Sequence, residues 1–536
     1  MNKITRGITL SLILILVAYL FYPLSSKKFA INHDHDQLDA KNKFLTSIQT
    51  GNDSTITPNI IIILADDLGK TDISKYGSKL INTPFIDSIG INGITFSEAY
   101  TTASVCTPSR AGLLTGRYQQ RFGMEFQIHE TYLTNLMQYY GMKFFVDSDP
   151  WYPIRMNSVP NQEDINKQGL PPSEITFGEL AKARGYETAL IGKWHLGYAD
   201  ELSPRNFGFD YFYGFKSSHH LYAREDNPDI ISQRIEEDWT DQYIWGCLGN
   251  ADCNLYRNEE LVEQEGYLTD VLAEEAIKFI DQNQNNPFLL YIPFNAPHTP
   301  LQVPGKYIEQ FSHIEDPVKR VYLAMIKSLD DAVGKITTTV DKLGLAPNTL
   351  IIFLSDNGGA TYTKTTDNAP LRGGKITQFE GGVNIPMMMQ WKGKIEKGSK
   401  FIFPATTLDI FSTIAILTGS GLPKERTIDG KDLMPYITRQ VTSPPHESIF
   451  WQGGYNKAIR YEQWKLIYND LTGQTLLFNM AADKFEERNF AEVQPDLVNR
   501  LKVLHADWAS KLAAPLWPGM IEFRHREGEE WFGFIN

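Results

Sequence analysis

Four short apolar runs, rich in β-branched and aromatic residues, each stop at a polar cluster. Residues 59–65 precede Asp66-Asp67, 187–191 precede Gly-Lys193-Trp-His195, 288–294 precede Asn-Ala-Pro-His298, and 350–354 precede Ser-Asp356-Asn357. Runs of this length that are apolar throughout suit strands buried on both faces, as in a parallel sheet. Helical patterns such as 269–280 and 321–340 separate several of them. That alternation predicts an α/β fold whose sheet is covered by helices on both faces. Ligands of such sheets bind outside the carboxyl ends of the strands. All four polar clusters fall there, so distant segments converge on one pocket.

The rest of the chain divides around this core. At 536 residues it exceeds one ordinary core, and a large domain with a smaller companion is expected. Residues 1–30 read as an export segment, 31–57 as a polar linker without sustained periodicity, and 58–440 as the catalytic domain. Residues 441–536 then change pattern, with strand-like pieces at 458–467 and 475–479 and a helix over 494–512. They predict a smaller C-terminal α+β subdomain with an antiparallel sheet. Between Met124 and Asp164 lies an aromatic-rich insertion that includes Tyr132, Tyr139, Tyr140, Phe144, Phe145, Trp151 and Tyr152. Its rings are expected either to stack on sugar faces at the pocket rim or to pack the insertion onto the core.

Charge and cysteines narrow the function classes. A net charge of −13 repels nucleic acid, so an anionic substrate needs a local basic pocket. Lys3 and Arg6 precede an apolar stretch over 8–24, the pattern of a bacterial-type export signal. No small-x-small cleavage site follows Leu24, so a cleaved signal and an uncleaved membrane anchor both stay open. The expected location is periplasmic or secreted. Of three cysteines, Cys247 and Cys253 could close a small loop in an oxidising compartment, which leaves Cys106 over. An odd cysteine in an exported chain calls for a reactive or modified side chain.

Cys106 opens the stretch Cys106-Thr107-Pro108-Ser109-Arg110. Pro108 suits the first turn of a helix, which puts Cys106 at the helix start, where backbone donors and dipole favour an anion, with Arg110 on the same side. Taken alone, the stretch also fits a buried cysteine beside a surface arginine, and Asp66-Asp67 also fits a helix cap. Together, Asp66, Asp67, Asp356 and Asn357 make an all-oxygen set of the kind hard cations prefer.

These residues resemble the signature Cys-x-Pro-Ser-Arg of the formylglycine-dependent type I sulfatases, arylsulfatase-like members of the alkaline phosphatase superfamily. Gly192-Lys193-Trp194-His195-Leu196-Gly197 resembles the family's second signature. Asn295-Ala-Pro-His298, Leu371-Arg-Gly-Gly-Lys375 and the tail segments Gln463-Trp-Lys-Leu-Ile and Glu487-Arg-Asn-Phe-Ala extend the likeness over most of the chain from Pro58 onward. The resemblance implies an alkaline-phosphatase-like, mixed and mostly parallel sheet, and hydrolysis of a sulfate ester, with a sulfated carbohydrate or polysaccharide as substrate. It implies that a formylglycine-generating maturation enzyme oxidises Cys106 to the nucleophile. Asp66, Asp67, Cys106, Asp356 and Asn357 would hold Ca²⁺, with Mg²⁺ as the alternative. Arg110, Lys193 and Lys375 would offset charge on the sulfate, His298 would protonate the leaving alcohol and His195 would act as base. Ile376 and Asn384 depart from the family, which commonly has glycine and arginine there. Two rival functions are a phosphonate or phosphodiester hydrolase of the same superfamily and a non-catalytic sulfoglycan-binding protein.

Overall fold

The structure, a computed structural model, describes residues 3–27, 34–49, 57–145, 150–235, 238, 241, 244–246, 253–527 and 530–535. Its centre is a ten-stranded mixed sheet. Six strands position the site: β1 (Asn59–Ala65), β2 (Glu187–Lys193), β3 (Tyr211–Phe215), β4 (Phe288–Pro293), β5 (Thr349–Ser355) and β6 (Met387–Gln390). They lie side by side in the order β3-β2-β4-β1-β5-β6. The first five run parallel, and β6 is antiparallel to β5.

Why β1 lies in the middle follows from its side chains. Ile60, Ile62 and Leu64 enter one apolar core, while Ile61, Ile63 and Ala65 enter the core on the opposite face. β5 divides in the same way, Leu350, Ile352 and Leu354 against Ile351 and Phe353. Burying an isoleucine fully is worth about 1.5–3 kcal/mol, so a strand apolar on both faces gains most where both faces are covered. Helices Leu268–Gln282 and Pro317–Lys342 cover one face. Helices Cys106–Thr115, Phe177–Ala183 and Leu408–Leu417 cover the other.

The C-terminal part forms a four-stranded antiparallel sheet of Ser448–Gly453, Asn456–Tyr461, Trp464–Asn469 and Thr475–Asn479. The single piece expected over 458–467 is two strands, because the chain turns at Glu462, whose φ is +48°. Helix Pro495–Ala509 packs Val498 and Leu501 onto Ile459, Leu466 and Leu477 of this sheet.

Two features depart from expectation. Within 31–57, residues His35–Gln49 form a helix that packs against Phe177–Ala183. Asp34 caps it by accepting from the Gln37 amide at 3.0 Å. Buried Lys41 fastens it by donating to the carbonyls of Pro172 and Glu174, each at 2.8 Å, and by pairing with Glu179 at 2.5 Å. Phe44, Leu45 and Ile48 add a half-buried apolar face against the core, too short to show as a sustained period. The insertion, in turn, is joined to the far end of the chain. Its strand Trp151–Pro153 pairs with Ile521–Glu527 of a terminal hairpin, with Trp151 opposite Phe523.

At the N-terminus, Lys3–Phe21 is helical, with Ile8, Leu12, Leu14 and Leu16 exposed. Among the described residues, no helix is long and apolar enough to cross a membrane. Cys106 is buried and free, and Cys253 is disulfide-bonded. Cys247 lies outside the described residues, so the pairing expected for it is not described.

Candidate functional site

The ends of β1, β2, β4 and β5 bring the expected residues to one place. Asp66 and Asp67 follow β1, Lys193 closes β2 with His195 two residues on, His298 follows β4, and Asp356 and Asn357 follow β5. The chain turns sharply there. Asp67 has φ +62° and His195 φ +56°, a left-handed conformation that polar Asp and His tolerate better than bulkier residues. Gly358 is required by close approach, since a Cβ on it would lie 1.8 Å from the Gly381 carbonyl oxygen. That contact draws the loop carrying Lys375 against the end of β5.

Cys106 begins the helix Cys106–Thr115, whose ten residues are all buried. Its thiol points at Asp66 Oδ1, 3.6 Å away. One turn on, the Arg110 guanidinium forks onto Asp356 Oδ2 at 2.9 Å through Nε and 2.8 Å through Nη2, and donates to the Lys193 carbonyl at 3.1 Å. Lys193 Nζ lies 2.6 Å from Asp66 Oδ2 with both side chains fully buried. Lys375 Nζ donates to Asp67 Oδ2 at 2.9 Å and meets His298 Nε2 at 3.2 Å. Asn357 Nδ2 donates to Asp67 Oδ1 at 2.7 Å.

Electrostatics follow from this packing of charges. Burial pushes the Asp66 and Asp67 carboxyls up, but Lys193 beside the first and Lys375 beside the second, with His298, hold both below the ordinary carboxylate range. Burial pushes the Cys106 thiol up to about 12, with Asp356 and Asp66 adding to it against Lys193 and Lys375. Burial and then the neighbouring Lys193, Arg110 and Lys375 keep His195 well below its usual value, so its imidazole is neutral near pH 7. Its Nδ1 is buried without a hydrogen-bond partner.

A divalent cation fits the donors present. Asp66, Asp67, Cys106 and His298 each offer an atom within 4.8 Å of the others. Asn357 Oδ1 is buried and has no hydrogen-bond partner, a costly state for an amide oxygen unless something else satisfies it. Asp356 stands slightly apart, with Oδ1 accepting from the Asp67 amide at 3.2 Å and Oδ2 on Arg110. His298 entered the sequence reading as an acid and also belongs to this donor group.

The departures at Ile376 and Asn384 have local answers. Ile376 takes φ +80°, costly for a β-branched residue. It is held by its amide on the Ser104 carbonyl at 2.7 Å and by burial in the apolar cluster that includes Val105, Trp451 and Phe534. Asn384 donates to Glu380 at 2.7 Å and accepts from Lys70 at 2.6 Å.

Above this floor opens a cavity of about 410 Å³. Cys106, His195, His298 and Lys375 reach it from below, and its walls come from segments the sequence reading did not connect. These are Gln127 to Thr131 of the insertion, Ser217 to His219 after β3, Asp238, Tyr362, and Met520-Ile521 of the hairpin. Gln127 also accepts from the Thr107 amide at 2.9 Å, behind Cys106. The polar stretch after β3 was the one local signal, since it too follows a strand end. Of the insertion's aromatics, Trp151 is 6% exposed and packs edge-on against Tyr362 and Phe523, each at 5.1 Å. The face of Tyr152 carries the Arg524 guanidinium at 4.0 Å. Both rings therefore fasten the insertion to its neighbours.

A parallel-sheet enzyme whose strand ends gather acids, cations and a helix N-terminus is built to hold and hydrolyse an oxyanion ester. Comparison with known proteins narrows that class. The model of the family "Sulfatase" matches residues 58–146 and 150–420. Human (Homo sapiens) steryl-sulfatase is 30% identical over 463 residues, 75% of this chain and 74% of that protein. N-acetylgalactosamine-6-sulfatase of Rattus norvegicus is 31% identical over 414 residues, covering 76% and 71%. Among solved structures, Ps i-CgsB in complex with k-i-k-neocarrahexaose superposes with a TM-score of 0.72 at 30% identity, covering 86% of this chain and 94% of that one. The chain belongs to the sulfatase family and is a sulfuric ester hydrolase of alkaline-phosphatase-like fold.

Proposed function

We propose that the protein removes sulfate from a sulfated carbohydrate, using a formylglycine made from Cys106 by a maturation enzyme and a bound Ca²⁺, with Mg²⁺ as the alternative ion. The observation that carries this reading is the state of Cys106. A thiol pushed up to about 12 by burial is a poor thiolate nucleophile near neutral pH, yet it sits at a helix N-terminus among Arg110, Lys193 and Lys375. Such a position sets donors and cations around the charge that a hydroxyl formed there would carry into an attack. The oxidised side chain, once hydrated, would supply a hydroxyl, and Asp66, Asp67, Asp356 and Asn357 with residue 106 would hold a cation that could offset charge on the sulfate.

The other steps belong to residues of this chain. Arg110 and Lys193, each fixed by a carboxylate and both beside Asp66, would stabilise charge that grows on the sulfate oxygens. Lys375 lines the cavity beside His298 and would face an ester bound there. His298, whose Nδ1 is fixed on the Thr299 carbonyl at 2.5 Å, protonates the departing alcohol through Nε2. His195, kept neutral by burial and by its cationic neighbours, takes the proton when sulfate is expelled.

A carbohydrate substrate is supported by similarity to N-acetylgalactosamine-6-sulfatase and by the carrageenan-type hexaose bound to the structural neighbour. Export to the periplasm or beyond is supported by Lys3 and Arg6 in the first turns of a helix whose apolar side chains stay outside the core. The test is sulfate release from a panel of sulfated glycans and matched aryl phosphates. Cys106→Ala should reduce turnover by about 10⁴-fold or more while the melting temperature stays within a few degrees. Near-normal activity in that variant would defeat the reading.

A further inference from the structure

The helix Cys106–Thr115 begins with amides that its own turns cannot satisfy, because the first donors of an α-helix have no carbonyl four residues back. Ser109 reaches the Val105 carbonyl at 3.2 Å, and Pro108 has no N–H to place. The Thr107 amide donates instead to Gln127 Oε1 at 2.9 Å. Gln127 comes from the insertion, and its backbone is held firmly. Its neighbours Phe126 and Ile128 are buried, and the buried Trp517 indole donates to the Gln127 carbonyl at 2.8 Å.

That contact uses only half of the carboxamide. Oε1 and Nε2 share one plane and point apart, so an oxygen held by Thr107 also fixes where the amide hydrogens point. Gln127 is half-buried and lines the cavity together with Cys106, and its Nε2 donates to nothing among the described residues. The charged donors nearby are already engaged: Arg110 with Asp356, Lys193 with Asp66 and Lys375 with Asp67. An N–H donated to an anionic oxygen is charge-assisted, and acceptance from Thr107 polarises the amide further. Being uncharged, the group achieves this without burying another ion.

We propose that Gln127 is a catalytic residue: while Oε1 holds the Thr107 amide, Nε2 donates to a sulfate oxygen of the ester bound at residue 106 and stabilises the charge that grows there. The insertion then takes part in the chemistry as well as in the cavity wall. The inference rests on the sulfatase reading above, with the ester seated at residue 106, and adds to it a residue outside every signature of the sequence.

The experiment compares the parent, Gln127→Met and Gln127→Glu as mature full-length proteins, with rates divided by the oxidised fraction of residue 106 read from peptide mass. The probe is whichever of 4-nitrophenyl sulfate and the monosulfates of galactose and N-acetylgalactosamine the parent turns over fastest. Gln127→Met removes both hydrogen bonds and should lower kcat/KM by about 10²-fold throughout the range from about pH 5 to about pH 8. Gln127→Glu keeps an acceptor for Thr107 but donates nothing while ionised. It should melt within a few degrees of the parent and lose about 10²-fold or more at about pH 8. Relative to the parent it should then regain about tenfold towards pH 5, because a protonated carboxyl both accepts and donates. Parental activity in Gln127→Met would overturn the proposal. Loss confined to Gln127→Met, with Gln127→Glu near the parent at about pH 8, would overturn it too, since the residue would then only cap the helix. Should Gln127→Met fail to fold, Gln127→Glu decides by itself, and a loss that does not recover with falling pH counts against the proposal. A parent with oxidised residue 106 that releases no sulfate from any ester brings down the sulfatase reading itself, a failure distinct from these.

Discussion

At the pocket floor, Asp66 and Asp67 are paired with Lys193 and Lys375; under the C-terminal sheet, Lys465 sits between Glu380 at 2.7 Å and Glu486 at 2.9 Å. Both clusters are buried, and both draw their charges from segments far apart in the chain. They differ in what is left over. The second cluster is tied mostly to itself: even Glu486 Oε1, which accepts no hydrogen bond, meets Lys465 at 2.9 Å. Glu380 also accepts from Tyr100 and Asn384, and Glu486 accepts from the Glu380 amide at 2.8 Å. The first keeps Asn357 Oδ1 and His195 Nδ1 without hydrogen-bond partners and opens through Lys375 into a cavity. Completeness marks a cluster that holds the structure together, and unmet valence beside a cavity marks one that works on a ligand.

Removing one lysine from each cluster is the strongest way to break this distinction. Lys375→Met should lower kcat by about 10²–10³-fold if, as proposed, its charge faces the ester. Its cost in stability should be modest, since Asp67 retains its hydrogen bond from Asn357. Lys465→Met should do the reverse. It strands two buried carboxylates and should destabilise by about 3–5 kcal/mol, read from denaturant unfolding, while the folded fraction keeps kcat within about tenfold. Similar effects of both on kcat would erase the contrast.

Removing the metal sharpens it from the other side. Exhaustive chelation should abolish sulfate release and lower the melting temperature, with both restored by Ca²⁺, because a ligand of the folded state stabilises that state. In a Cys106→Ala, Asp67→Asn double variant the chelator should no longer shift the melting temperature.

A smaller effect separates the two carboxylates of the closed cluster. Burial pushes Glu486 up to about 7, with Glu380 adding to it against Lys465, whereas Lys465 outweighs burial for Glu380 and holds it low. Folding therefore favours protonated Glu486. That contribution is complete below the unfolded value of 4.5 and is lost as pH rises to about 7. Relative to Glu486→Gln, the parent should lose on the order of 1–3 kcal/mol between these limits and no more above them, as melting temperatures against pH would register.

The sequence exposed the floor because each of its residues stands beside a long apolar run or inside a compact signature. Strand ends could be read from apolar length, and Cys106 at a helix start from Pro108. The walls were hidden for a physical reason. Gln127, Tyr362 and Met520 meet only through tertiary packing, and the Trp151 strand finds its partner some 370 residues later, at Phe523. Helix His35–Gln49 escaped notice because its apolar face is short, with Phe44, Leu45 and Ile48 half-buried beside the buried Lys41. Of the two readings left open for the insertion's aromatics, packing accounts for Trp151 and Tyr152, which meet Tyr362, Phe523 and Arg524.

What the whole account depends on is the chemical state of residue 106 when it meets Arg110, Lys193 and Lys375. Peptide mass spectrometry of active protein from a host that matures such enzymes reads that state directly. The predicted result is a Cys106 peptide lighter by roughly 18 Da than its encoded mass, in proportion to specific activity across preparations. Fully active protein in which the same peptide carries an unmodified cysteine would contradict it.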